Sequence, residues 1–93
     1  MRRAVIWSSR FKKDYRLAKK RNMKIELLDE IINCLAEDKP LPYNSKDHAL
    51  TGNWAGFREC HIKDDWILVY QLSNGSLILT LMATGKHSEV LGV

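Results

Sequence analysis

Long apolar runs and cysteines are both scarce in this sequence. No stretch approaches the roughly 18 consecutive apolar residues that a membrane span requires, and the first residues contain no apolar signal segment. The two cysteines, Cys34 and Cys60, lie in apolar-patterned segments without the spacing of metal ligands. These absences argue against a membrane protein and a secreted, disulfide-rich domain, and they predict a cytoplasmic protein with two free thiols.

Chain length limits the number of domains and the size of the core. A chain of 93 residues corresponds to a single domain, 1–93. A domain of this size buries only about 60–65% of the surface that its unfolded form exposes, so it holds one modest core. We therefore expect no internal cavity for a large cofactor, and no cofactor is predicted.

Acidic residues are scarce in the first quarter of the chain. Residues 1–24 contain ten Lys or Arg and one acid, Asp14, whereas residues 25–93 contain five Lys or Arg and ten acids. Like charges within one segment repel each other unless something binds them. This asymmetry predicts a polyanionic partner, either nucleic acid or an acidic protein, although a solvated basic face is the simpler alternative.

Two amphipathic helices are predicted in the first half of the chain. Apolar side chains recur at helical spacing in 10–21 and again in 25–38, and Ser8 or Ser9 can cap the first helix. The short link between the two segments predicts a helical hairpin. The following segment, 41–53, is polar and rich in turn residues, which is typical of a surface loop.

Segments with strand character flank the helices. A short β-rich segment, 2–7, precedes them, and 54–62, 66–72 and 76–83 follow them. The short connections between the last three predict antiparallel neighbours. The order β-α-α-β-β-β indicates a small α+β domain, an antiparallel sheet with the helical hairpin packed on one face. The remainder, 84–93, is expected to form a turn or one helical turn.

The three histidines all lie outside the predicted helices: His48 in the loop, His61 at a strand end and His87 after the last strand. In an antiparallel meander His61 and His87 lie at the same end of the sheet, whereas His48 has to arch back over the sheet face. Imidazole titrates close to neutral pH, so one ring can accept a proton while another donates one. With Glu59 and Asp65 nearby, this set predicts metal-independent cleavage of RNA, whose own 2′-OH is the nucleophile.

Each candidate also has a simpler interpretation. A histidine on a loop is more often solvated than catalytic, and three histidines could bind zinc, although no C-x-x-C or H-E-x-x-H spacing is present. Arg58 could neutralise the charge on phosphorus, or it could form only a surface ion pair with Glu59 or Asp64. Trp66 and Tyr70 are more often core residues than platforms for base stacking.

One long motif resembles a known family. The segment KDHALTGNWAGFRECHIKDDWILVYQL, with the terminal TGKHSEVLG, resembles the YafQ branch of the RelE/ParE superfamily of bacterial toxin–antitoxin ribonucleases. That branch is marked by the pattern KDHxLxGxWxGxRxxHxxxDWxLxY and by a terminal TGxHxxLF-like segment. The resemblance covers the whole chain, including the element order and the basic first helix. It implies a ribosome-dependent mRNA endonuclease that a cognate antitoxin inhibits.

The resemblance also implies site residues and partners. The family's catalytic positions fall on His48, His61, Asp65 and His87, and its supporting or RNA-contacting positions fall on Arg58, Glu59 and Trp66. His48 and His87 are expected to share the general acid–base work. The ribosome is expected to bind the basic residues of the first helix: Lys12, Lys13, Arg16, Lys19, Lys20 and Arg21. The other expected partners are the message and the antitoxin, with no membrane.

One position departs from the family pattern. Leu91 stands where the family tends to have an aromatic residue, four positions after the last histidine. Leucine cannot stack on a base as an aromatic ring can, so the departure affects substrate positioning.

Two alternative functions remain beside that of a nuclease. One is a non-enzymatic inhibitor of DNA gyrase, as on the ParE side of the superfamily, and the other is a module that binds only an acidic antitoxin.

Overall fold

A five-stranded sheet carries two helices on one face and a short third helix at one end. The computed structural model describes residues 2–42 and 44–92. The positions outside the described residues are Met1, Tyr43 and Val93. Met1 and Val93 are the two ends of the predicted domain 1–93, and Tyr43 belongs to the predicted loop 41–53. The elements are, in chain order, β1 (Ala4–Trp7), α1 (Ser9–Lys20), α2 (Ile25–Glu37), β2 (His48–Ala49), β3 (Arg58–Lys63), β4 (Trp66–Ser73), β5 (Ile78–Lys86) and α3 (His87–Leu91).

The strands lie in the order β1-β5-β4-β3-β2, and the pairs from β5 to β2 are antiparallel. β1 instead runs parallel to β5, from Ala4 opposite Ile78 to Trp7 opposite Leu81. The predicted α+β class with a helical hairpin is confirmed, but the sheet is mixed rather than antiparallel. A parallel pair needs a long crossover connection, and most of the chain lies between β1 and β5.

Both long helices form where the apolar spacing predicts them. The Oγ of Ser8 caps α1 by accepting the backbone N–H of Phe11 at 3.0 Å. The hydroxyl of Tyr15 on α1 donates to Asp29 on α2 at 2.7 Å, which ties the hairpin together. In the part of the chain that the structure describes, none of the helices has both the length and the apolar character needed to cross a bilayer.

The strands differ from the prediction in the start of β3, the end of β5 and the presence of β2. β3 begins at Arg58, later than predicted, because Gly52–Trp54 forms a 3-10 helix and Gly56 adopts a positive φ of 92°. β5 continues beyond the predicted end to Lys86, directly before α3. β2 lies within the predicted loop, and its two residues pair with β3.

The central strand β4 is buried on both of its faces. One core cluster lies beneath α1 and α2 and includes Phe11, Leu28, Leu68 and Tyr70. The other lies on the opposite face and is built from Ile67, Val69, Ala83 and Val90, with Leu50, Trp54, Phe57, Met82 and Leu91 packed against it. The chain itself therefore covers the second face, which explains why β4 is apolar at nearly every position.

Candidate active site

The alternation of side chains along β3 decides which residues can meet. Cys60 packs in the core beneath the helices, so its neighbours Glu59 and His61 project from the opposite face of the sheet. There they lie beside Val69 and Ile67 of β4, whose side chains belong to the second core cluster. A carboxylate and an imidazole are thus placed on one face, next to an apolar cluster.

Glu59 is the centre of the site. The residue is 2% exposed, and its carboxylate faces three imidazoles. Oε1 lies 2.5 Å from His87 Nε2 and 3.5 Å from His61 Nε2. Oε2 lies 3.3 Å from His48 Nε2. A buried carboxylate is costly unless hydrogen bonds and positive charge compensate it, and the contact with His87 Nε2 contributes to this compensation.

His48 reaches Glu59 by a different route from the predicted one. It does not arch over the sheet face, because β2 continues the sheet beside β3 and pairs His48 directly with Glu59. The Nδ1 of His48 lies 2.8 Å from the carbonyl oxygen of Lys46. A carbonyl only accepts, so Nδ1 carries a proton and Nε2 is the ring atom that exchanges protons. The side chain is 51% exposed, which leaves it accessible to a substrate.

His87 is held between two carboxylates. It begins α3, where the pairing of Lys86 with Trp66 brings it beside the turn between β3 and β4. Its Nδ1 lies 2.8 Å from Asp65 Oδ1, and its Nε2 faces Glu59 as described above. Two ionised carboxylates are both satisfied only when each ring nitrogen carries a proton, so this placement favours the imidazolium form of His87.

The two carboxylates shift the titration of His87. The hydrogen bond to Asp65 is the largest cause of a raised His87 pKa, and Glu59 adds to it, while partial burial opposes both. In return, the hydrogen bond from His87 is the first cause of a lowered Asp65 pKa. His87 therefore keeps its proton to higher pH than a solvated imidazole. The ring centroids of His61 and His87 are 5.2 Å apart, so a single phosphodiester can contact both rings.

Comparison with known proteins gives the family of the chain. A family model described as the bacterial toxin YafQ of type II toxin–antitoxin systems matches residues 3–92. The chain belongs to the YafQ family of toxins. The membership predicted from the motif is thereby confirmed.

Relatives agree with the family assignment over the full length. The chain is 36% identical, over 93 residues and 99% of both chains, to the mRNA interferase toxin YafQ of Escherichia coli K12. A crystal structure of the E. coli DinJ–YafQ toxin–antitoxin complex matches with a TM-score of 0.87 at 35% identity, over 99% of this chain and 100% of that chain. A copper-bound mutant toxin from Helicobacter pylori matches with a TM-score of 0.86 at 37% identity, over 97% and 99%.

The structure does not bring Arg58 to the histidines of this YafQ-family chain. Arg58 precedes Glu59 on β3 and projects on the helical side, where its guanidinium pairs with Asp47 at 3.1 Å. The hydroxyl of Tyr70 donates to the same carboxylate at 2.6 Å. Arg58 thus forms an ion pair, as in the simpler interpretation, but with Asp47 rather than with Glu59 or Asp64.

Trp66 and Leu91 lie behind the site and not at its surface. Trp66 is 5% exposed, and its Nε1 donates to Thr84 Oγ1 at 2.8 Å, which links the start of β4 to the end of β5. This buried position fits the core role. Leu91 is partly buried and packs against the second core cluster. Both residues support the elements that carry Asp65 and His87.

The predicted ribosome-binding residues divide into two groups. Arg21 pairs with Glu89 of α3 at 3.1 Å and so has an intramolecular partner. The other five project to solvent from α1: Lys12, Lys13, Arg16, Lys19 and Lys20.

Further contacts from α1 hold the end of β5 and α3 in place, and spacing alone does not predict them. Asp14 Oδ2 accepts the backbone N–H of Thr84 at 3.1 Å, and burial raises the Asp14 pKa. Arg10 donates to the backbone carbonyls of Glu89 at 3.1 Å and Val90 at 3.4 Å. The sequence contains one signal for the contact of Asp14. Asp14 is the only acid among residues 1–24, so its carboxylate is a candidate for a specific structural contact.

Three of the site residues also form a candidate metal centre. Single ligand atoms of Glu59, His61 and His87 lie within 4.8 Å of one another. Imidazole nitrogen combined with carboxylate oxygen is a donor set that suits Zn²⁺ or Cu²⁺. A metal ion and a proton would compete for the same ring nitrogens.

Proposed function

We propose that this chain is an mRNA interferase, a toxin that cuts messenger RNA on the ribosome by general acid–base catalysis. The observation that carries the proposal is the position of the His87 ring between Glu59 and Asp65, with two further imidazoles around the Glu59 carboxylate. Membership of a type II toxin family and the mRNA interferase name of the E. coli relative support it.

The hydrogen bonds of the ring nitrogens support one assignment of the proton transfers. His48, with Nδ1 bonded to Lys46, accepts the 2′-OH proton on Nε2, and the 2′-oxygen attacks the adjacent phosphorus. His87 gives its proton to the departing 5′-oxygen as the P–O5′ bond breaks. The products are a 2′,3′-cyclic phosphate and a 5′-OH. Each positioned proton transfer contributes about 10²–10⁴-fold to the rate.

The remaining site residues support these two histidines. Glu59 stabilises the imidazolium that forms at His48, because its Oε2 faces the Nε2 that receives the proton. Asp65 fixes the ring of His87 through Nδ1, so that Nε2 carries the proton to be transferred. His61 shares Oε1 of Glu59 with His87 and can exchange a proton with it through that oxygen.

The partners follow from the family and from the charge distribution. The E. coli relative forms a toxin–antitoxin complex with DinJ, and we expect a cognate antitoxin to hold this chain inactive. The exposed cations of α1 would bind ribosomal RNA. The reaction belongs in the cytoplasm, where ribosomes translate.

Mapping of mRNA 5′ ends after brief induction tests the proposal. The parent chain should create new 5′-OH ends within translated messages, and His48→Ala, checked for an unchanged fold by circular dichroism, should not. Equal cleavage by His48→Ala would remove His48 from the mechanism. Growth arrest without new ends, but with altered plasmid supercoiling, would replace the nuclease by the gyrase-inhibitor alternative, which gives the imidazoles no role.

We further infer that a transition-metal ion inhibits this reaction. An ion held by Glu59, His61 and His87 would occupy the His87 ring nitrogen that carries the transferable proton. The similar H. pylori mutant toxin is copper-bound, which supports metal binding by this chain. Cleavage should persist in EDTA and fall as Cu²⁺ is added, with calorimetry reporting the bound ion. Full activity of the copper-saturated protein would contradict the inference.

A further inference from the structure

RNA cleavage needs cations beside the phosphates, and Arg58 is not placed to provide one. Two open cavities near the imidazole cluster contain lysine, one next to Asp65 and the other next to His61, and no arginine is among the residues that line them. The first, of about 430 Å³, is lined by Asp65 and Trp66 together with Lys24, Lys63 and Lys86. The second, of about 500 Å³, is lined by His61 together with Lys46 and Lys63. Lysine is therefore the cation on both sides of the site.

Lys63 lies where the two cavities meet. The register between β3 and β4 shifts after His61, so that His61 faces Ile67 but Lys63 faces Trp66. Such a bulge adds one residue to the strand and changes the direction of the side chains around it. The result is a lysine that lines the cavity next to His61 and also the cavity next to Asp65.

The lysines around the site are available to a ligand. Lys24, Lys46, Lys63 and Lys86 are all exposed. Within residues 2–42 and 44–92, the ion pairs of the structure include none of these four side chains. Asp64 lines both cavities as well, whereas the carboxylate of Asp65 is engaged by His87. Positive charge thus predominates along the two cavities.

We propose that Lys24, Lys86, Lys63 and Lys46 form a track for the phosphates of single-stranded RNA, with Lys63 at its centre beside the cleavage site. The track rests on the proposed function in that the strand it holds is the message that His48 and His87 cut. It is separate from the basic face of α1. Its ligand class is a phosphodiester backbone of any sequence, because lysine contacts phosphate as a point charge.

Anisotropy of a fluorescein-labelled, fully 2′-O-methylated RNA oligonucleotide, titrated at several KCl concentrations, tests the track. Lys63→Gln should weaken binding by about tenfold at low salt and flatten the plot of log Kd against log salt by about 0.7. Lys63→Arg should restore both. Lys39→Gln is the matched control, since Lys39 pairs with Glu37 at 2.9 Å and lines neither cavity.

The outcomes separate the track from the nuclease. The probe cannot be cleaved, because its 2′-oxygens are methylated, so binding is measured whether or not the chain is an enzyme. Equal affinities and equal salt slopes for Lys63→Gln and Lys39→Gln would overturn the track. Lys24→Gln and Lys46→Gln, at its two ends, should each flatten the slope as well, and no effect from either would contradict an extended track. Failure of the parent to cut translated mRNA would instead overturn the proposed function.

Discussion

At the scale of single residues, the site is organised by charge compensation around Glu59. Strand alternation is enough to predict that Glu59 and His61 share a face and that Arg58 does not, once Cys60 is placed in the core. The contact between His48 and Glu59 is beyond prediction from pattern, because a strand of two residues carries no recognisable periodicity. The convergence of the rings is thus a property of pairing between distant segments.

Asp65→Asn tests how His87 keeps its proton. Asparagine retains an oxygen that can accept from Nδ1 but removes the charge, so the His87 pKa should fall. Because the protonated ring is the acid, the alkaline limb of the pH–rate profile should move to lower pH. Single-turnover cleavage on programmed ribosomes across pH gives the profile, and an NMR titration of the ring gives the pKa directly.

Asp64→Asn is the control for that experiment. Asp64 is the other carboxylate of the same turn, is exposed, and takes a positive φ of 50° that asparagine also tolerates. It should leave the His87 titration unchanged. An Asp65→Asn protein whose His87 titrates like the parent would show that Asp65 is not the cause of the raised pKa.

At the scale of elements, α3 is the helix whose stability depends most on contacts with its neighbours. A helix of five residues is too short to be stable by itself, so its position depends on contacts with β5 and α1. Glu89 is central to them: its Oε1 accepts the backbone N–H of Lys86 at 3.1 Å, and its carboxylate pairs with Arg21. Gly85 has a φ of 151°, and a Cβ there would lie 3.2 Å from Glu89 Oε1.

Glu89→Gln and Glu89→Ala should separate the two functions of this side chain. Glutamine loses the exposed ion pair, worth about 0–1 kcal/mol, but can still accept from the Lys86 N–H. Alanine loses that capping bond as well, so α3 should fray and displace His87. Cleavage should fall little in Glu89→Gln and clearly more in Glu89→Ala, with thermal unfolding as the stability measure. Parental activity in Glu89→Ala would show that α3 holds His87 in position without the contacts of Glu89.

The elements differ in how far the sequence predicts them. α1 and α2 lie within one residue of their predicted bounds, because apolar spacing and the Ser8 cap are local signals. The start of β3 depends on the backbone of Gly56, and β5 is extended by pairing with β4 up to Lys86. Pairing partners are distant in sequence, so local pattern does not contain them.

At the scale of the whole molecule, two sets of exposed cations can be distinguished. One set is the basic residues of α1, which packs on the helical face of the sheet. The other set is the lysines that line the two cavities near the site, and no residue of α1 lines either cavity. Sequence composition predicts the excess of positive charge in residues 1–24, but the separation of the two sets depends on the fold.

The double variant Lys12→Gln, Lys13→Gln tests this division. Ribosome binding, measured by co-sedimentation at increasing KCl, should weaken, and its salt slope should fall by about 0.7–0.9 for each phosphate that is no longer neutralised. Binding of the short, non-cleavable RNA should not change, because the site lysines remain. Weaker binding of the short RNA by the double variant would mean that one surface serves both ligands.

Single-turnover cleavage of mRNA on programmed ribosomes by His87→Ala tests the central claim most directly. Removal of the ring that Glu59 and Asp65 hold as an imidazolium should slow cleavage by about 10²-fold or more at neutral pH. Ser88→Ala, the exposed neighbour on α3, should cut at the parental rate with the same Tm. Cleavage by folded His87→Ala at the parental rate would contradict the account.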